Sequence, residues 1–543
     1  MKKLLSQKSY YSEKKQSILF LGLILSLGLG IRFYYFPIDI PIVTDGFFSF
    51  VYATKTVFEG GLPIGYAVTN TGWSNFLSLF FVFADTTDPL RLMDIQRTLS
   101  IVLSTLTVIP AFFIFRKFVD TRWVLFGSFL LVIEPRLLLM SLEGINYSLF
   151  FFLFVLTIAL FLKRTNISLF LSFVCIACAA LVRYEGLLLL IPLSIMYFVK
   201  FKDKKSICKF IGLIFVLIII LVPIGILRMQ ATENYCQESY FGIICGQDGI
   251  SNKILDGPRF VEKHVISGIP DSDDLIYNVK DKSLLDHFVF LSFTSLGKFL
   301  GLALFPFFIF FIGLSLIIFI AKRKFPKLDY EKITILLITC ILLLPAIYAY
   351  GRGIEEIRYV LVAMPLVCIL SVYWTSVISE KITKDKKIIV VLIILVLISS
   401  IIFIEYKNRD LTHDRESFLI SQEIIKLTDR TNTFDQDGYV KTAILITDWP
   451  NIPNPNEVGK LKHDFDKFPT EKYNSIKKFI LDFRESGLEY LVVDDDNKMF
   501  DEFRQEQKDH PYLIKKFDSN DFDFENHYMI YEIDYELFDD NDE

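Results

Sequence analysis

Apolar runs alternate with short polar connections from Ser17 to about Tyr406, and the alternation then stops. A helix needs roughly 20 apolar residues to cross a bilayer. Runs of that kind begin near Ser17, Arg97, Arg122, Tyr147, Ile167, Gly186, Ile207, Phe299, Lys332, Ile357 and Ile388, which predicts a mainly α polytopic membrane protein with about 11 transmembrane helices. Basic residues precede the first run, as in a signal peptide. No small-residue cleavage site follows it, and Ile31–Pro37 continues apolar and aromatic, so an uncleaved span is expected.

The Lys and Arg residues between runs set the expected orientation. Lys2, Lys3, Lys8, Lys14 and Lys15 precede the first run. Arg116, Lys117 and Arg122, then Lys163 and Arg164, then the lysines of 200–209, 322–327 and 381–387 occupy every second connection. All can face the cytoplasm together only if the N-terminus is inside and the C-terminus outside. The expectation is a multi-pass protein of the cell membrane whose loops 37–96, 140–146, 183–186, 228–298 and 350–356 are external. The first of these holds Asp45–Glu59, an amphipathic stretch suited to lie at the membrane surface, and Trp73–Phe83, which is apolar but too short to span and reads as a second interfacial helix. Gly60-Gly61-Leu62-Pro63 separates them. Leu284–Lys298 reads as a third interfacial helix.

Beyond Lys407 the pattern changes. Ala443–Thr447, Leu488–Val493 and Tyr528–Ile533 read as strands. Lys472–Ser486 reads as an amphipathic helix closed by Gly487, with Ile476, Phe479, Ile480 and Phe483 on one face. The expected division is a transmembrane domain, 1–406, and a small soluble extracytoplasmic α/β domain, 407–543. The tail carries 33 acidic and 18 basic residues against a whole-chain net charge of −5, so the negative charge is concentrated there. Such a domain stays soluble and off an anionic lipid surface.

Composition excludes an ordinary soluble protein: 52% of the 543 residues are hydrophobic. No basic stripe suggests a nucleic acid partner. Of the seven cysteines, Cys175, Cys178, Cys340 and Cys368 lie in apolar runs and Cys208 at the start of one. Cys236 and Cys245 share the long external loop, either as a disulfide or as two free thiols. All six histidines lie outside the runs, which argues against a His-ligated intramembrane metal.

An ionisable residue at the edge of a span is a functional candidate by default. The external side collects Asp45, Asp94, Arg97, Glu134, Arg136, Glu143, Arg183, Glu185, Glu355, Glu356 and Arg358 from distant parts of the chain. Asp45 follows the first span, as a general base or metal ligand, or as an N-cap of the helix that follows. Glu143 either assists Asp45 in acid–base or metal chemistry or pairs with Arg136. Arg183 contacts a phosphate or pairs with Glu185. Arg358 suits a lipid phosphate, unless it snorkels or pairs with a neighbouring Glu. Asp494–Asp496 reads as a solvated turn rather than a cation site.

An Asp just after the first span, two interfacial helices, and an acid in the next external loop form an order that resembles the glycosyltransferase C superfamily. Within it the chain is most similar to the family 39 group, which includes protein mannosyltransferases and lipid A aminoarabinose transferases. Trp73–Lys163 carries the likeness best: WSNFLSLFFVF, Pro89-Leu-Arg91-Leu and Arg97, a span ending in Arg116-Lys117-Phe118, then one ending in Glu134-Pro-Arg136. Arg183-Tyr-Glu-Gly186 and Arg358-Tyr359 add to it, and the likeness covers about residues 15–405. No single motif is specific; their order is. Gly46 stands where many members have a second acid, so a paired-acid mechanism does not carry over. The oligosaccharyltransferase branch matches less well: its tail motif of two tryptophans, Asp, Tyr and Gly is absent, and Asp448-Trp449-Pro450 is no substitute.

The resemblance implies a hexosyltransferase, mannosyltransferase-like, of the cell envelope. It would move a sugar from a polyprenyl-phosphate donor to a protein, lipid or glycan acceptor on the external face, as in protein glycosylation. Asp45 and Glu143 would be catalytic. Arg358, Arg183 and Arg136 would hold the donor phosphate. A divalent cation, Mg or Mn, would sit on Asp45 and Glu143 if one is used. The alternative is a polytopic transporter or lipid flippase without glycosyl transfer, which predicts broken spans and repeated halves; the sequence shows neither.

Overall fold

The computed structural model describes residues 2–42, 45–63, 70–232, 284–313, 329–351, 353–382, 387–407, 411–427, 433–434, 475–484, 488–494, 510–522 and 524–540. Cys236, Cys245, the expected strand 443–447 and the turn Asp495–Asp496 lie outside the described residues. The chain forms two units, one of residues 1–36, 68–79 and 96–408, the other of 37–67, 80–95 and 409–543.

The fold is mostly helical. Among the described residues five helices are long and apolar enough to cross a membrane: Lys15–Tyr34, Pro89–Phe115, Lys204–Arg228, Tyr330–Gly351 and one beginning at Ile388. A sixth results if Thr121–Val132 and Pro135–Leu142, bent by 44°, count as one broken span. The other runs are shorter or interrupted. The runs from Tyr147 and Ile167 become helices of 17 residues each, Tyr147–Lys163 and Asn166–Val182. A helix of that length rises roughly 25 Å, less than the hydrocarbon core of about 30 Å. The run from Gly186 divides into Glu185–Leu188 and Leu190–Lys200, and that from Ile357 into Arg358–Leu361 and Met364–Ile382.

Local chemistry explains where several helices start and stop. Pro89–Leu106 begins eight residues ahead of Arg97 because Asp88 accepts from Leu90 N at 3.0 Å and Pro89 needs no partner at the first helical position. Arg97 is therefore buried inside a helix, 4% exposed, rather than at a span edge. Thr165 and Ser168 form a reciprocal capping box, and Arg164 takes the left-handed conformation (φ 64°), so two apolar helices join in a tight hairpin. Glu134 caps Pro135–Leu142 by accepting from Leu137 N at 2.6 Å, which sets the bend. Leu284–Leu304 is one continuous 21-residue helix, so the expected interfacial segment and the start of the eighth run are a single element.

The helix Asp45–Phe58 of the second unit and the helix Gly72–Phe81, most of which belongs to the first, match the two stretches expected at the membrane surface. Within the second unit the rings of Phe50 and Phe81 are in contact at 6.3 Å. The tail forms a four-stranded sheet of β1 (Thr433–Phe434), β2 (Tyr490–Asp494), β3 (Leu513–Asp518) and β4 (Tyr528–Ile533), in the order β1-β2-β4-β3. β1 pairs parallel with β2, while β2 and β3 run antiparallel to β4. Alternation along β2 and β4 feeds two cores. Leu491, Val493, Met529 and Tyr531 pack with Phe479 and Ile480 of the helix Ile476–Arg484. Tyr490, Val492, Tyr528 and Ile530 pack with Ile420 of the helix Thr412–Leu427. Helices thus cover both faces.

Candidate functional site

Three segments of the first unit carry most of the expected site residues: 143–147, 182–186 and 354–359. In the first, the helix Pro135–Leu142 ends at Glu143, which is exposed. Gly144 follows with φ 68°, a conformation glycine adopts without strain. Its carbonyl accepts from Trp73 Nε1 at 3.0 Å and from Gln96 Nε2 at 2.8 Å, two side chains with no exposure. Trp73 is held by its neighbour: a Cβ on Gly72 would lie 2.5 Å from the Leu181 carbonyl carbon and oxygen, so only glycine lets this helix meet the 181–182 backbone. The same small element therefore fixes both the Glu143 loop and the approach to Arg183.

The second segment turns tightly at Arg183-Tyr184-Glu185-Gly186. A Cβ on Gly186 would lie 2.5 Å from Ala180 N, which keeps the turn against the helix it leaves. Arg183 donates from Nη2 to Glu185 Oε1 at 2.6 Å and from Nη1 to Asn146 Oδ1 at 3.3 Å. Its guanidinium carbon lies 4.1 Å from the centre of the Tyr147 ring. Burial opposes the Arg183 charge, but Tyr147 and the Glu185 carboxylate outweigh it and hold the guanidinium above its ordinary pKa, with Arg358 acting as a like charge against it. Arg183 Nε and the Tyr147 hydroxyl are buried without a hydrogen-bond partner among the described residues. Unmet buried donors cost free energy, so this pair marks a place for water or a ligand oxygen.

The third segment is anchored at both ends. Tyr350 donates to the Glu356 carbonyl at 2.9 Å, and its ring meets that of Tyr359 edge-on at 6.3 Å. Glu355 accepts from Ser295 Oγ at 3.0 Å and Lys298 Nζ at 2.6 Å, which hold its carboxyl below the usual range. Arg358 pairs with Glu356. The structure therefore joins Arg183 and Arg358 in one electrostatic cluster with Asn146 and Tyr147, each Arg also holding a glutamate.

Arg136 is placed differently. It donates to the Leu302 carbonyl at 2.5 Å and lies 4.7 Å over the Phe403 ring. The helix Pro135–Leu142 separates it from Glu143 by roughly 10 Å of rise. No described interaction joins it to Arg183, Arg358 or Glu143. Asp45 opens the helix Asp45–Phe58 in the other unit, and its side chain lies outside the described residues. A divalent cation needs several oxygen ligands. Among the described residues no three His, Cys, Asp or Glu side chains come together to supply them.

Arg32 was missing from the sequence candidates. It is 1% exposed and donates to Val132 O at 2.8 Å, Gly28 O at 3.1 Å, Ser141 Oγ at 3.2 Å and Ser104 Oγ at 3.2 Å. It lies close enough to Glu134, itself 1% exposed, for the two charges to act on each other. A lone Arg within the run Gly28–Tyr35 was the available signal. Tyr147, Trp73 and Gln96 gave none, because an aromatic or amide at a span edge is ordinary.

The fold is similar to that of the Archaeoglobus fulgidus oligosaccharyltransferase. The crystal structure of its apo form aligns with a TM-score of 0.50 and 12% identity, covering 88% of this chain and 69% of that one. The structure tethered by a disulfide to an acceptor peptide containing the NVT sequon aligns with a TM-score of 0.51 and 13% identity, covering 87% and 69%. No protein-family model matches the chain. No curated protein matches it either. At this identity the likeness is one of fold. These structures belong to the branch that the sequence motifs ranked behind family 39.

Proposed function

We propose that this chain is an integral membrane glycosyltransferase that moves a sugar from a polyprenyl-phosphate donor to an acceptor. The observation that carries the reading is the likeness in fold, over 88% of the chain, to an enzyme described as an oligosaccharyltransferase. That relative is recorded with an acceptor peptide, which favours a peptide acceptor here over a lipid or glycan. The family 39, mannosyltransferase-like assignment rests on residue order alone, carried best by Trp73–Lys163. The reading of 11 spans rests on the apolar runs of the sequence and counts each short or broken helix as a crossing. In this reading 407–543 is an extracytoplasmic domain.

Asp45 takes the acceptor proton as the nucleophile attacks the anomeric carbon. The bond from that carbon to the phosphate oxygen breaks, with inversion, and the phosphate leaves with the electron pair. Arg183 and Arg358 offset the charge that develops on it, in a half-buried setting where such interactions are strong. Glu143 assists at the acceptor. Arg136, engaged with Leu302 and Phe403, has the weakest support of the three phosphate candidates.

A second reading has one observation behind it. Broken helices are a mark of transporters, and the chain has a 44° break beside buried Arg32 and Glu134. The break falls at Glu134-Pro135, where the sequence places the end of that span. One experiment separates the readings: transfer of radiolabelled sugar from a panel of polyprenyl-phosphate donors to peptide acceptors, wild type against Asp45→Asn. Transfer lost in the variant supports the enzyme and its base. Full transfer by Asp45→Asn removes Asp45 from the chemistry. No transfer by folded wild type across donors and acceptors favours the transporter.

A further inference from the structure

In the first unit, a cavity of about 670 Å³ opens between the helices Pro89–Leu106 and Val108–Phe115 on one side and Tyr147–Lys163 on the other. Phe113, Leu156 and Leu160 line its walls, and Phe113 is 55% exposed. Arg116, Lys117 and Lys163 line the same cavity. No acidic residue does. The three cations are exposed, and none is ion-paired among the described residues. The next cation along, Arg164, is different: Glu331 pairs with it.

The sequence places all three cations at one end of the cavity. Arg116 and Lys117 follow the helix Val108–Phe115, and Lys163 ends Tyr147–Lys163. Both helices run toward that end, so their C-terminal carbonyls also lie there. The cations complement the partial negative charge of those ends, and a surplus of positive charge remains. An apolar groove with a cationic mouth at a membrane-spanning bundle has the shape and charge of a phospholipid: chains along the walls, phosphate at the mouth. The mouth falls in connections that the lysine pattern assigns to the cytoplasm, whereas Arg183 and Arg358 fall in external ones.

We infer that this groove binds one anionic phospholipid, with its acyl chains against Phe113, Leu156 and Leu160 and its phosphate held by Arg116, Lys117 and Lys163. The site is separate from the proposed sugar-transfer machinery and does not depend on it.

Native mass spectrometry of the purified full chain, titrated with phosphatidylglycerol or phosphatidylcholine of the same acyl chains, tests this. Wild type should retain one phosphatidylglycerol in preference to phosphatidylcholine. The triple variant Arg116→Gln, Lys117→Gln, Lys163→Gln should bind it on the order of 100-fold more weakly, each cation contributing about fivefold. Ala159→Trp, which fills the cavity and leaves the cations, should displace the lipid as well. Equal binding by the triple variant overturns the inference. So does an equal loss in a control with Lys200→Gln, Lys202→Gln and Lys204→Gln, which would make the effect one of general charge. So does competition by glycerol phosphate at lipid-like concentrations, which would leave an anion site without a lipid.

Discussion

Replacing Arg32 by Gln should destabilise the helical unit strongly, and replacing Glu134 as well should restore part of the loss. Arg32 makes four hydrogen bonds from a fully buried position, to Val132 O, Gly28 O, Ser141 Oγ and Ser104 Oγ. Interhelical side-chain bonds of this kind in membranes contribute about 0.6 kcal/mol each, so the bonds alone come to roughly 2 kcal/mol. The variant also removes one of the two cations that act on buried Glu134, the other being Arg136. Gln at 134 keeps an oxygen to accept from Leu137 N and carries no charge, so it relieves what Arg32→Gln creates. The double variant should therefore lose about 1–2 kcal/mol less than the sum of the singles. The assay is unfolding of purified protein in mixed micelles titrated with a denaturing detergent, followed by tryptophan fluorescence. Additive losses would refute the coupling and leave Arg32 as a set of local hydrogen bonds.

Further outcomes follow from the site and the sheet. Arg183→Lys keeps the charge but not the fork that meets Glu185 and Asn146 or the stacking on Tyr147; sugar transfer should fall on the order of tenfold or more, through a raised donor KM, and an unchanged KM would count against phosphate binding there. Gly72→Ala forces a Cβ into the Leu181 backbone and should destabilise by about 1–3 kcal/mol, read as an earlier unfolding midpoint; a neutral result would mean the helix can shift without consequence. Asp518, desolvated but bonded to Lys515, the Asn520 amide and His527, is held down to a pKa of about 2. Its contribution is fully present above the unfolded value near 4 and is lost as pH falls toward about 2, on the order of 1–2 kcal/mol; circular dichroism on acidification should show less of that loss in Asp518→Asn.

Much of the outline was legible in one dimension. Asp45–Phe58, Gly72–Phe81, Ile476–Arg484, β2 and β4 fall within a few residues of their expected bounds because each carries its own periodicity and its own stop signals. β3 was not visible. Leu513–Asp518 puts two lysines in mid-strand and contains a register irregularity between Lys515 and Phe517, so its alternation is broken. The helix breaks were hidden for a related reason. Apolar composition runs through Leu188–Leu190 and Leu361–Met364 without interruption, and hydropathy does not register a turn that needs no polar residue.

The chain's own residues determined that it is a mainly helical, many-span protein with an acidic α/β tail, since burial of apolar side chains and the placement of lysines are properties of composition and spacing. Contacts decided the site. Arg183 and Arg358 are 175 positions apart in the sequence, and only packing places both charges around Tyr147. Arg136, equally eligible by residue type, is turned by its helix toward Leu302 and Phe403. The burial of Arg32 beside the Glu134 break also belongs to the tertiary structure, because whether a charge in an apolar run reaches water or a ring of carbonyls and hydroxyls depends on which helices close around it.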